Sequence, residues 1–136
     1  MIAIDTNIWI YSHDTRYPDK QQRAQELIQE ASPLTLPWQV GCEFIAASRK
    51  LEPFGFSEED AWAALEDMCN MADAIPMPEP ELWPATRLLQ QRHGLPFWGA
   101  LIVAACQRFG VQTLYSEDFG SLRDIDGLAI VNPFVQ

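Results

Sequence analysis

Three carboxylates in this 136-residue chain fall where an oxygen-ligated cation could be gathered: Asp5, Glu43 and Asp118. Asp5 closes the apolar run IAID, and Asp118 follows TLYSE. In an open parallel α/β sheet, ligands bind outside the carboxyl ends of the strands, so acids at those two places are positioned for chemistry. Glu43 lies in an apolar helical stretch between Cys42 and Phe44, one residue from the stripe Val40, Phe44 and Ala47. A carboxylate buried there without a partner is costly and calls for a cation or a metal. Three acids from three elements suit a divalent ion with hard oxygen ligands, magnesium or manganese. A plainer reading stays open for each residue. Asp5 can be a helix N-cap, Asp118 a turn former, and Glu43 a solvent-facing glutamate.

The elements that must position these acids are readable from period and punctuation. Apolar residues at Ala24, Leu27, Ile28 and Ala31 predict a helix over 18–32, and Val40, Phe44, Ala47 and Leu51 predict another over 38–52. Ser57, followed by Glu58, Glu59 and Asp60, is an N-cap with acids in the first turn of a helix reaching about Met71. The proline-rich AIPMPEP is an extended connection, after which a helix runs to Gly94 and a further one from Pro96 to about Phe109. Short strands are expected in IAID, LTLP, VQTLYSED and GLAIVNP. Strands separated by helices predict an α/β/α sandwich with a mostly parallel central sheet, formed by residues 1–136 as one domain. Phe44 and Leu101 are expected in its core.

Composition narrows the function classes. Nineteen Asp and Glu against nine Lys and Arg give a net charge of −10, so the overall field repels polyphosphate and favours a basic partner. Handling of nucleic acid then needs local cations, with Arg16, Arg49 and Lys50 as basic residues open either to an RNA backbone or to solvent alone. Cys42, Cys69 and Cys106 have no CxxC spacing and sit in apolar helical contexts, which predicts buried reduced thiols. His13 and His93, the two histidines, read as surface or boundary residues and give a histidine metal site little support. Most of the five tryptophans are expected in the core. No apolar run reaches the length of a membrane span, and the start of the chain lacks a signal-peptide pattern, so a cytoplasmic protein is the expectation.

Taken together, IDTNIWIY, CEFIAASRK, PFWGALIVAAC and LYSEDFG resemble the PIN-domain family, specifically the VapC-type ribonuclease toxins of bacterial toxin–antitoxin pairs. The resemblance covers nearly the whole chain. It implies Mg²⁺- or Mn²⁺-dependent hydrolysis of RNA phosphodiesters, a cognate antitoxin partner and a homodimer. It assigns Asp5, Glu43 and Asp118 to metal and catalysis, with Thr6, Asn7 and Ser116 as supporting polar groups.

One position departs from the family pattern. Where the family has an aspartate opening a helix in the phrase FWDAL, this chain reads Phe97, Trp98, Gly99, Ala100, Leu101. Gly99 is open to three explanations: a substitution made or selected against toxicity, a natural variant of impaired or altered activity, or compensation by Glu117, Asp124 or Asp126. The departure predicts a weak or inactive nuclease, and it keeps a second function in view, a non-catalytic scaffold that only binds antitoxin or RNA. Two other phosphate-handling classes fit poorly. A receiver domain wants paired acids at its first strand and a lysine near its last, yet no lysine follows Lys50. A haloacid-dehalogenase-like phosphatase wants Asp-x-Asp where this chain has Asp5, Thr6, Asn7.

Overall fold

The computed structural model describes residues 1–135. Five strands form one sheet in the order β2-β1-β3-β5-β4, from β1 (Ile2–Ile4), β2 (Leu34–Thr35), β3 (Thr113–Tyr115), β4 (Asp124–Ile125) and β5 (Leu128–Val131). The first four in this spatial order pair in parallel, and only β4 runs antiparallel to β5. Parallel neighbours need crossover connections, which the helices supply. They are α1 (Thr6–Tyr11), α2 (Pro18–Glu30), α3 (Trp38–Ala47), α4 (Glu58–Met71), α5 (Leu82–His93) and α6 (Phe97–Arg108). The expected α/β architecture with a mostly parallel sheet is the observed one. No helix among the described residues is long and apolar enough to cross a membrane.

Local signals account for most boundaries. Ser57 and Asp60 form a reciprocal capping box at the start of α4. Gly94 ends α5 in the left-handed conformation, at φ 67°. The 38–52 helix stops short, passing at Ser48 into a 3₁₀ segment that runs to Phe54. The small strand β4 escaped the sequence reading, although its turn is Asp126-Gly127, with φ of 49° and 94°, the positive pair a tight hairpin wants.

The core also corrects several expectations. Phe44 is fully buried, but Leu101 is only partly so, because it faces an outer groove between α3 and α6. Only Trp9 among the tryptophans is buried, where its indole N–H donates to the Ile4 carbonyl at 3.1 Å. Trp38, Trp62, Trp83 and Trp98 are exposed. Cys42 and Cys69 are exposed as well, and only Cys106 is a buried thiol. An apolar sequence context does not say which face of an amphipathic helix a residue takes. On α3 the inward face belongs to Val40 and Phe44, and Cys42 falls on the other side.

Candidate active site

Strand register creates the site. Ile4 pairs with Tyr115 across the parallel β1–β3 ladder, and the next backbone bond runs from Asp5 N–H to the Tyr115 carbonyl at 2.8 Å. Asp5 and Ser116 therefore leave the carboxyl ends of adjacent strands side by side. The Ser116 hydroxyl donates to Asp5 Oδ2 at 2.7 Å, and the Thr6 N–H donates to Oδ1 at 2.8 Å. Asp5 is thus the N-cap of α1, as its plainer reading held, and also the floor of a cleft.

Around that floor the supporting polar residues interlock. Ser116 Oγ also accepts the Asp118 N–H at 3.1 Å. The Asn7 amide donates to Asp118 Oδ2 at 2.8 Å and, more weakly, to Ser116 Oγ at 3.4 Å. Across the cleft, the Thr6 hydroxyl donates to Glu43 Oε1 at 3.1 Å. Gln39, one turn before Glu43 on α3, donates to the same oxygen at 3.2 Å and to the Trp98 carbonyl at 3.0 Å. Gln39 ties α3 to the first turn of α6. Its i, i+4 spacing from Glu43 was a readable signal, but its reach to Trp98 was not.

Asp5, Glu43, Asp118 and Gly99 all line this cleft, which has a volume of about 610 Å³. Among the described residues, none of the three acids makes a salt bridge. Burial pushes the Asp5 carboxyl up to about 6. Its two hydrogen bonds oppose that rise, while the charges of Asp118 and Glu43 add to it. The compensating acids lie elsewhere. Glu117 is paired with Lys20 at 3.1 Å, Asp124 caps the Gly127 N–H in the hairpin, and Asp126 takes His93 Nε2 at 3.1 Å. Lys20, which the sequence reading missed, also donates to the Tyr11 hydroxyl at 3.2 Å. Arg16 is held by Asp14, and Arg49 by the carbonyls of Phe56 and Ser57. Neither arginine lines the cleft, nor does Lys50.

Packing does not require the glycine at 99. A Cβ built there meets Phe119 Cε1 and Pro96 Cγ at 3.6 Å, ordinary van der Waals contacts, and its φ is not in the left-handed range.

The donor set fits a hard divalent cation in kind: carboxylate oxygens throughout and, among the described residues, net negative charge without a partner and a buried Asn7 Oδ1 that no donor satisfies. In number it falls short. Among the described residues, no group of three or more His, Cys, Asp or Glu side chains is drawn together closely enough to hold a metal ion.

No family model matches the sequence, and no curated protein does. Solved structures do. A toxin–antitoxin complex from Klebsiella pneumoniae aligns with a TM-score of 0.71 at 18% identity, covering 98% of both chains. VapC20 from Mycobacterium tuberculosis, a toxin that cleaves the sarcin–ricin loop, aligns at 0.67 and 20% identity over 88% of this chain and 92% of its own. VapBC2 from Rickettsia felis, bound to a DNA fragment from its promoter, aligns at 0.66 and 16% identity over 97% and 98%. At these identities the likeness is one of fold: over 88–98% of its length, this chain is folded as the matched chains of these structures are.

Proposed function

We propose that the chain is a divalent-metal-dependent endoribonuclease of the toxin–antitoxin type, impaired by the missing carboxylate at position 99. The observation that carries this reading is Asp5: a carboxylate at a strand end, buried in the cleft with no cation partner among the described residues, where two further acids line the same cleft. Asp5 and Asp118, with Glu43 across the cleft, would hold Mg²⁺ or Mn²⁺. An ion held there would supply positive charge to offset the scissile phosphate and would lower the pKa of an attacking water. Ser116 and Asn7 hold Asp5 and Asp118 in place, and Thr6 and Gln39 hold Glu43.

The partners proposed with this activity are an RNA substrate, a basic or amphipathic antitoxin segment and a second copy of the chain. The net charge of −10 and the exposed Trp38, Trp62 and Trp98 support a basic, partly apolar protein partner. The homodimer rests on the family resemblance, and sedimentation showing only monomer at roughly tens of micromolar would remove it.

Gly99→Asp is the direct test. The cleft accepts the new Cβ without displacement, and a fourth carboxylate supplies the hard oxygen ligand that the site lacks. Misplacement of a reacting group by about 1 Å costs on the order of 100-fold, so Gly99→Asp is expected to cleave structured RNA at least about 100-fold faster than the parent in Mg²⁺ or Mn²⁺. A chelator should abolish cleavage by both. Equal rates for the two proteins would show that position 99 has no part in catalysis. A non-catalytic binding scaffold is the second reading, favoured by the absence of a preformed three-residue ligand set among the described residues. It predicts RNA or antitoxin binding by the parent with no metal-dependent cleavage.

A further inference from the structure

Outside the cleft, cations and aromatic rings form a continuous ledge that ends beside the acids. The Arg16 guanidinium lies 4.5 Å from the centre of the Phe54 ring and 5.3 Å from that of Tyr17. Tyr17 meets Tyr11 edge-on at 6.0 Å, and Tyr11 meets Phe134 in the same way at 5.2 Å. Lys20 Nζ sits over two of these rings, 4.5 Å from Tyr11 and 5.1 Å from Phe134. It also pairs with Glu117, the residue before Asp118, which brings the ledge to the cleft. Helix α1 joins the two regions: Asn7 holds Asp118, and Tyr11 stands one turn further along the same helix face.

The ledge is exposed and yet fixed in shape. Tyr17 and Phe54 leave almost half of their surface in water, at 48% and 47%. The guanidinium bridging them is immobilised by the buried Asp14, which takes both Nε and Nη2. Exposed aromatic faces and guanidinium planes are what unpaired bases stack on. Hydrogen bonds among the described residues leave Nη1 of Arg16 and one ammonium N–H of Lys20 for a ligand. Charge is gathered here as well. Arg16, Lys20 and Arg23, three of the nine basic residues, lie within residues 16–23, and Arg23 donates to the Pro133 carbonyl beside Phe134. Asp14, Asp19 and Glu117 offset much of that charge, so stacking supplies more of the grip than the local field does.

We propose that this ledge is a track for single-stranded RNA. Unpaired bases stack on Tyr17 and Phe54 beside Arg16, phosphates meet Arg16 and Lys20, and the strand passes on to the acidic cleft. The proposal rests on the RNA-cleaving reading above and adds a substrate feature, unpaired nucleotides flanking the scissile bond. A duplex keeps its base faces stacked on one another and offers none to a side chain. Every base has a π-face, so the track selects for strandedness and not for sequence.

Fluorescence anisotropy tests it with a labelled, non-self-complementary RNA of about ten nucleotides, in EDTA so that binding is read without cleavage. The same RNA annealed to its complement should bind at least about tenfold more weakly. Replacing Tyr17→Ala and Phe54→Ala together should weaken single-strand binding at least about tenfold, given the usual loss on removing stacking aromatics. Trp83→Ala removes an exposed aromatic on α5 and should change nothing. Lys20→Gln should flatten the dependence of log affinity on log salt by about 0.7, the share of one phosphate contact. Equal affinity for single strand and duplex overturns the track, as does a double variant that binds like the parent. If circular dichroism shows that the double variant has lost its fold, the strand-against-duplex comparison in the parent decides. Binding of hexaglutamate without binding of RNA overturns the track in favour of an acidic peptide. None of these readouts requires cleavage. A failed track is therefore distinct from a failed nuclease reading, which shows as an inert Gly99→Asp.

Discussion

Asp5 precedes α1 and Asp14 follows it, and both are nearly closed to water, at 7% and 2% exposure. Their surroundings differ in one respect. Asp14 is clasped by Arg16, which donates through Nε at 2.9 Å and through Nη2 at 2.8 Å, with the guanidinium resting 4.5 Å from the centre of the Phe54 ring. Hydrogen bonding to Arg16 holds the Asp14 carboxyl below its ordinary range. Among the described residues, Asp5 receives one hydroxyl and one backbone N–H, no cation, and the fields of two more acids, and burial holds its carboxyl up at about 6. A carboxylate that serves structure is neutralised within the chain. One left without a counter-charge, at a strand end and lining a cleft, is poised for something that arrives from outside.

The comparison can be broken most forcefully at Asp5. Below about pH 4 its carboxyl is protonated in both the folded and the unfolded chain, and between about 4 and 6 only the folded chain keeps the proton. The stability this proton gives is present at low pH, declines as pH rises through that window, and is gone above it. The displacement from 3.8 to about 6 corresponds to a penalty on the order of 3 kcal/mol for the charged form. Asp5→Asn carries no such charge, so it should be more stable than the parent at pH 8 and no more stable at pH 4, read from urea midpoints. An equal gain at both pH values would mean that Asp5 is already compensated.

Asp14 should behave with the opposite sign. Its folded carboxyl lies below the unfolded value, so its contribution is complete above about pH 4 and disappears as pH falls through the folded value. Asp14→Asn should therefore unfold at lower urea than the parent at pH 7, with the gap closing toward pH 2. The effect should be smaller than that at Asp5, because Arg16 is about a third exposed and water screens it. A gap that is independent of pH would show packing, rather than charge, at this end of the helix.

The mildest test adds the missing counter-charge. At pH 8, Mg²⁺ at about ten times its dissociation constant should stabilise the parent by roughly 1.4 kcal/mol, seen as a rise of a few degrees in Tm. Asp5→Asn should show little or none of it, and Asp14→Asn should show it in full. Equal responses from the two variants would erase the distinction between the ends of α1.

Much of this site was legible because its parts are local. Asp5 and Asn7 sit two residues apart at the end of a strand, as do Ser116 and Asp118, and the rule for parallel sheets brings strand ends to one edge. Glu43 was legible as an acid in an apolar helix, and its partner Gln39 stood one turn away. The pairing of Lys20 with Glu117 was not readable, since 97 residues separate them and neither position is unusual in itself. The tryptophans misled for a related reason. Hydrophobicity says that a side chain gains by leaving water, but it does not say that this chain offers it a place to go.

By itself the sequence determined what depends on neighbours along the chain: the strand ends and their acids, the capping box at Ser57, the stop at Gly94, and the alternation of strand and helix that gives a parallel sheet. These follow from backbone hydrogen bonding and side-chain periodicity over a few residues. Tertiary structure alone decided what depends on distances across the molecule. It placed β1 beside β3 in the register that sets Ser116 against Asp5, turned four tryptophans outward, and gave Glu117 a cation while leaving Asp5 without one. It also bears on Gly99: the residue type leaves open whether packing demands a glycine in the first turn of α6, whereas a built Cβ there makes only ordinary contacts with Phe119 and Pro96, so packing does not. Charge and space at a site are sums over everything nearby, and those neighbours are chosen by the fold.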